Sequence, residues 1–283
     1  MSSSNCTLMK IDFRHIEPHN LLRPYIDKMW VFESSGKLPT SDLKLVVPNG
    51  NVKLSIFSVN GVTASFDGKI VTSNEGSMNL TGIVDMPLYI DAQRDATTQT
   101  IGVEFNPKGA YRFFRFNLSE VKNEIIQLDD VLGMVGKQLE ERIASAPSPV
   151  EKIDVLQQFL INELTKNCAD LIFEFCIDKL ISSKGTITIK ELEKKTGYSS
   201  RWLNMKFMEK IGVSPKSLAS IIRFRECYKI FTGENLHATD RNEYYHYYHD
   251  QSHFIKNFKH FTGRSPSGID TSSNDFGRKF YQV

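Results

Sequence analysis

Residues 207–215 and 258–266 carry the same punctuation. Phe207, Gly212 and Ser214-Pro215 recur in spacing as Phe258, Gly263 and Ser265-Pro266. An apolar anchor, a glycine a few residues on and a Ser-Pro pair that opens the next helix recur at one spacing. This internal repeat constrains the C-terminal part of the chain to two copies of one helical unit.

The first copy is complete. In residues 185–212, "GTITIKELEKKTGYSSRWLNMKFMEKIG", Thr188 can cap a helix with Ile189, Leu192 and Thr196 inward, and Glu191 completes a capping box. Gly197 supplies a left-handed C-cap. Ser199 or Ser200 then caps a second helix with Leu203, Phe207 and Ile211 inward and Arg201, Asn204, Met205 and Met208 outward. A helix held this way fits the major groove with its N-terminal residues at base edges. There Arg can bond guanine O6 and N7 in pairs, and Asn adenine N6 and N7.

Ser214-Pro215 opens a long helix reaching residue 231, with Leu218, Ile221, Ile222, Tyr228 and Phe231 inward and Lys216, Arg223, Arg225 and Lys229 outward. The second copy ends in residues 247–269, "YYHDQSHFIKNFKHFTGRSPSGI". Phe254, Phe258 and Phe261 form its apolar stripe. Gln251, Ser252, Lys256 and Lys259 remain free for bases and phosphates.

Upstream the period is different. From residue 12 to 105 the text is strand-like, with short runs at 29–32, 52–58, 70–72 and 100–105. Turn formers such as Pro48-Asn49-Gly50, Asn60-Gly61 and Asp67-Gly68 separate them, which predicts a β-sandwich or small barrel. At Pro107 the period becomes helical. Helices are expected over 107–114, 128–144, 150–166 and 169–182, broken by Ala146-Pro147-Ser148-Pro149. The fold class is therefore α+β, with residues 1–110 β-rich, 111–167 a helical connector, 168–270 all-α and 271–283 a tail. Charge divides along the same line. Residues 1–167 hold 17 Lys+Arg against 20 Asp+Glu, while 168–283 hold 18 against 13, an offset compatible with a polyanion partner.

The stretch 168–270 resembles the DNA-binding domain of the AraC/XylS family of bacterial transcription regulators. The residues responsible are Gly197-Tyr198-Ser199, Leu203, Phe207, Gly212, Ser214-Pro215, and Asp250-Gln251-Ser252-His253-Phe254 through Phe258-Lys259 to Gly263-Arg264-Ser265-Pro266. The remainder is similar to the β-rich domain carried by many relatives. Its matching pieces are Leu22-Arg23-Pro24-Tyr25-Ile26 with Trp30, residues 47–52, and residues 102–110.

The resemblance implies two helix-turn-helix units on a linker helix, reading successive major-groove segments about one turn, ~34 Å, apart. It implies an N-terminal module that senses an effector or dimerises. The DNA-contacting set is Ser200, Arg201, Asn204, Met205, Lys206, Arg223, Gln251, Ser252, Lys256 and Lys259. Candidate effector residues are Arg23, Trp30 and Glu104. Expected partners are double-stranded promoter DNA, RNA polymerase, a small-molecule effector and a second copy of the chain.

Two departures from the family pattern stand out. Met205 stands where such domains usually carry Arg. Before the second recognition helix, Asn242-Glu243 replaces an apolar pair and Tyr247 a turn glycine, although Asp240 and Glu243 could start a helix. An alternative reading follows, a sensor or interaction protein whose degenerate second unit gives little independent DNA binding.

Other features have plainer readings. His246, His249 and His253 straddle the expected turn, so no metal is expected there. Tyr244, Tyr245, Tyr247 and Tyr248 are read as core, as is Trp30, while Trp202 faces either DNA or a neighbouring helix. Cys6, Cys168, Cys176 and Cys227 are scattered and read as reduced, mostly buried thiols. No catalytic signature is present, no cofactor is expected, and Glu104 with Asp85 is the one acidic pair a barrel could bring together. Residues 1–7 lack the apolar stretch of a secretory signal and no run is long enough to span a membrane, so a cytoplasmic protein is expected.

Overall fold

The protein is described by a computed structural model covering residues 11–35, 45–232, 247–248 and 250–268. Its strands are β1 (Ile11–Ile16), β2 (Ile26–Ser34), β3 (Leu45–Val46), β4 (Val52–Val59), β5 (Val62–Phe66), β6 (Lys69–Ser73), β7 (Met78–Thr81), β8 (Leu88–Ala92), β9 (Thr98–Phe105) and β10 (Ile125–Gln127). They form two antiparallel sheets, one of order β1-β2-β9-β4-β7-β10 and one of order β3-β8-β5-β6. Asp67-Gly68 turns β5 into β6 with positive φ at both residues (48° and 72°), the backbone that Asp-Gly hairpins favour.

The six-stranded sheet is covered on both faces, which explains why β2, β4 and β9 are nearly buried throughout. One face carries Met29, Val31, Leu54, Ile56, Leu80, Ile101, Val103 and Phe105 into a core shared with helices. The other turns toward the smaller sheet and is polar along much of its length. The two sheets hydrogen-bond there through Asn79 to Ser73 Oγ, at 2.6 Å.

Nine helices follow among the described residues: α1 (Ala110–Phe113), α2 (Leu128–Leu132), α3 (Met134–Ser145), α4 (Pro149–Thr165), α5 (Leu171–Ser182), α6 (Ile189–Thr196), α7 (Ser200–Ile211), α8 (Pro215–Thr232) and α9 (Gln251–Thr262). Two differ from the periodic reading. The helix expected over 107–114 starts only at Ala110, because Asn106 accepts from Lys108 N and Gly109 N and holds 106–109 as a turn. The helix expected over 128–144 is split at Gly133, whose φ of 57° and ψ of −133° no L residue adopts cheaply. Phe105, Phe113 and Phe114 tie the apolar sheet face to the helical layer, with ring centroids 5.1 and 5.4 Å from Phe105.

Candidate nucleic-acid interface and an interior polar cleft

In the first unit Thr188 caps α6 in both senses expected of a capping box. Its hydroxyl accepts from Glu191 N at 3.2 Å, and Glu191 accepts from Thr188 N at 2.8 Å. Gly197 ends α6 in the left-handed region, and Ser199 caps α7 by accepting from Trp202 N. Glu193 of α6 also accepts from Ser200 N, fastening the two helices at their junction. Leu203, Phe207 and Ile211 are buried, Phe207 against Phe173 at 5.1 Å. Ser200, Arg201, Asn204 and Met205 are left exposed on one stripe.

The second unit is the same object shifted by 51 positions, Ser199 to Asp250 and Gly212 to Gly263. Asp250 caps α9 by accepting from His253 N at 2.8 Å, and Gly263 closes it in the left-handed region. Phe254, Phe258 and Phe261 are buried as predicted, Phe258 and Phe261 against Phe224 at 5.9 and 4.8 Å. Gln251, Ser252, Ile255, Lys256 and Lys259 are exposed. Ile255 was not among the expected contact residues. Its place on the outward stripe becomes legible only once Asn204 is aligned with it.

Two expected contact residues are engaged inside the protein instead. Lys206 is half-buried, its ammonium 3.9 Å from Asp170 and 3.8 Å from Glu209. Arg223 of α8 is half-buried and donates to the carbonyl of Gly185, just past the end of α5. Arg225, read as outward, is also half-buried and lies 3.6 Å from Glu226. Trp202 stacks on Tyr198 at 4.0 Å, so it packs within its own unit. Tyr248 is buried against Phe254, and Tyr247 accepts from Lys184 Nζ at 3.0 Å. Asp240, Asn242, Glu243, Tyr244, Tyr245, His246 and His249 lie outside the described residues, as does the tail 271–283.

Both recognition-type helices rest their C-terminal ends on the N-terminal part. A Cβ built at Gly212 would fall 2.5 Å from Leu118 O, and one at Gly263 would lie 3.4 Å from Tyr89 Oη and 3.5 Å from Pro87 Cγ. A Cβ at Gly50 would lie 3.2 Å from Leu218 of α8. Charged contacts reinforce the seam. Lys108 reaches Asp178 at 2.6 Å, Arg112 lies 3.6 Å from Glu174, and Lys210 lies 3.5 Å from Asp170 and 4.6 Å above the Tyr111 ring. The N-terminal turns of α7 and α9, which carry the exposed polar residues, are uncovered.

Between the sheets lies a row of charge. In register, Lys28 of β2 and Lys53 of β4 flank Glu104 of β9, which is fully buried. Glu104 accepts from Asn49 at 2.7 Å and Asn51 at 3.2 Å, and Lys53 Nζ lies 3.9 Å away. Burial pushes Lys53 below its ordinary value, Glu104 pushes it back up and Lys28 adds to the depression. A cleft of about 20 Å³ beside this row is lined by residues 46–49, Asn51, Lys53, Thr81, Gly82, Val84, Met86 and Leu88.

Of the three candidate effector residues, Glu104 is in this row. Trp30 is buried over Gly102 and stacked on Phe13 at 5.4 Å, consistent with core. Arg23 is on the surface, 3.7 Å from Glu17 and bonded to Pro18 O. Asp85 does not join Glu104. It takes Lys122 at 2.7 Å and Asn123 at 2.9 Å. Lys28, Lys53, Asn49 and Asn51 were missed, because a buried lysine reads in sequence as a solvated one.

Cys176 and Cys227 are buried, and burial pushes their thiols up to about 11 and about 12. Cys168 is exposed, and Cys6 lies outside the described residues. Among the described residues there is no cluster of His, Cys, Asp and Glu able to hold a metal, and no helix long and apolar enough to cross a membrane.

A family model described as a domain of unknown function matches residues 14–127. No curated protein matches the chain. Among solved structures the chain is similar to ToxT from Vibrio cholerae. An apo variant of it is 13% identical with a TM-score of 0.45, covering 92% of this chain and 95% of that one. ToxT bound to an unsaturated fatty acid is 14% identical with a TM-score of 0.45, covering 92% and 93%. A cupin domain of an XRE family transcriptional regulator from Enterobacter cloacae is 9% identical with a TM-score of 0.27, covering 33% of this chain and 94% of that one.

Proposed function

We propose that the chain is a sequence-specific DNA-binding transcription regulator of the AraC/XylS type, with residues 168–270 reading promoter DNA. The carrying observation is the pair of helices related by 51 positions, each capped at its start, closed by a left-handed glycine and exposing polar residues on its first turns. Such turns are what a major groove admits. Arg201 and Asn204 act as base readers in α7, with Gln251, Ser252 and Lys256 in α9. Lys259 serves phosphate. Lys206 and Arg223 hold the scaffold that aims these residues.

Residues 1–110 act as the sensing or dimerising module and 111–167 as the connector. The cleft beside Lys53 and Asn51, about 20 Å³ and so sized for roughly one water, would admit an effector only if its walls at Val84, Met86 and Leu88 parted.

Gel-shift titration against genomic promoter fragments at two salt concentrations tests the reading. A tight subset of fragments, with affinity falling steeply as salt rises, is the expected result. Weak, salt-insensitive binding to every fragment would sink it and favour a sensor or interaction protein.

A further inference from the structure

Each of the two recognition-type helices presents one large apolar side chain to solvent on the stripe that carries its polar readers. In α7 it is Met205, 54% exposed beside Asn204, and in α9 it is Ile255, 38% exposed beside Lys256. Neither is needed by the packing. Leu203 and Phe207 fill the core under α7, and Phe254 and Phe258 do so under α9.

The chemistry of the groove narrows what such residues can meet. Base edges there are lined with hydrogen-bond donors and acceptors, and the C5 methyl of thymine is the apolar group they display. An apolar side chain flanked by Arg201 and Asn204, or by Ser252 and Lys256, is therefore placed against a methyl rather than a polar edge.

We infer that Met205 and Ile255 read thymine methyl groups, one in each of two successive major-groove segments. This rests on the DNA-binding reading above and adds a specificity to it. The shift of 51 positions sets Met205 opposite Lys256 and Asn204 opposite Ile255, so apolar and polar readers exchange places between the units. The two half-sites are consequently unlike each other, and the full site is not a repeat of one block.

The test uses the full chain and its tightest selected fragment, with each thymine replaced singly by deoxyuridine, which lacks only the methyl. Loss of one buried methyl contact is expected to weaken binding about fourfold, from ~0.8 kcal/mol per buried carbon group. Two thymines about one helical turn, ~10 base pairs, apart should respond. Met205→Ala should erase the penalty at one of them and Ile255→Ala at the other, while Met205→Leu keeps it.

Both residues are exposed, so these variants should fold, and thermal melting checks that they do. Uniform tolerance of deoxyuridine, or penalties that persist unchanged in both alanine variants, would overturn the inference while leaving DNA binding intact. A wild-type chain that retains no fragment would overturn both.

Discussion

Both α7 and α9 run from a side chain that caps the first turn to a glycine in the left-handed region, yet their interiors are built differently. Beneath α7 lie Leu203, Phe207 and Ile211 with Phe173, and the preceding helix α6 is locked to it through Glu193. Beneath α9 lie Phe254, Phe258 and Phe261 against Phe224, Tyr228 and Tyr248, an almost wholly aromatic packing. Equal length and the same capping geometry, from Ser199 in α7 and Asp250 in α9, on unlike cores show that the two units share an outward geometry. The outward residues then differ position by position, which is what the proposed reading of two unlike groove segments requires.

The comparison is broken most decisively at the cores. Phe207→Ala and Phe258→Ala each remove a fully buried ring, and each should cost ~3 to 5 kcal/mol in guanidinium denaturation. A far smaller cost for Phe258→Ala would mean that α9 is a peripheral element rather than an equal partner.

The reading heads come next. Arg201→Ala should cost ~1 to 3 kcal/mol at a selected fragment and relax preference at one base, whereas Ser252→Ala at the matching position should cost under ~1 kcal/mol. Titration of both variants on one fragment measures the difference, and equal losses would contradict the placement of α7.

Caps sharpen the picture further. Asp250→Ala should destabilise by ~1 to 2 kcal/mol and Ser199→Ala by nearer ~1 kcal/mol, because a carboxylate also opposes the positive end of the helix dipole. Urea midpoints at constant slope would check the ranking.

Smallest in energy is the salt dependence. Lys259→Gln should flatten the plot of log affinity against log salt by about one unit. Lys206→Gln should leave that slope unchanged, because its ammonium lies between Asp170 and Glu209.

Legibility followed the kind of signal. Caps and left-handed glycines are local, so Thr188, Glu191, Gly197 and Ser199 could be read directly and the helices they bound were found. Gly133 carried the same kind of signal. It was passed over because apolar residues on both sides of it keep helical spacing, and only the backbone shows the break.

Lys206 and Arg223 illustrate a different loss. Each sits on the correct helix, but the partners that capture them, Asp170 and Gly185 O, belong to segments distant in sequence. The charged row is the hardest case. Lys28, Lys53 and Glu104 lie on three strands, and nothing in the order of residues tells that β9 runs between β2 and β4. The polar pair Asn242-Glu243, which made the second unit look weaker, lies outside the described residues.

The walls of the interior cleft have a second neighbour. The lining residues Asn49 and Asn51 bracket Gly50, which lies against Leu218 of α8, and Met86 and Leu88 bracket Pro87, which lies near the closing turn of α9 at Gly263. A ligand that shifted these strips would shift α8 and the end of α9 behind the proposed reading turns, which would link its binding to that of a duplex. Thermodynamic reciprocity then applies: whatever factor the ligand imposes on DNA affinity, the DNA must impose on the affinity of the ligand. An effector could be recognised without guessing its structure, as the compound in a mixture whose retention by this protein changes when a selected duplex is added.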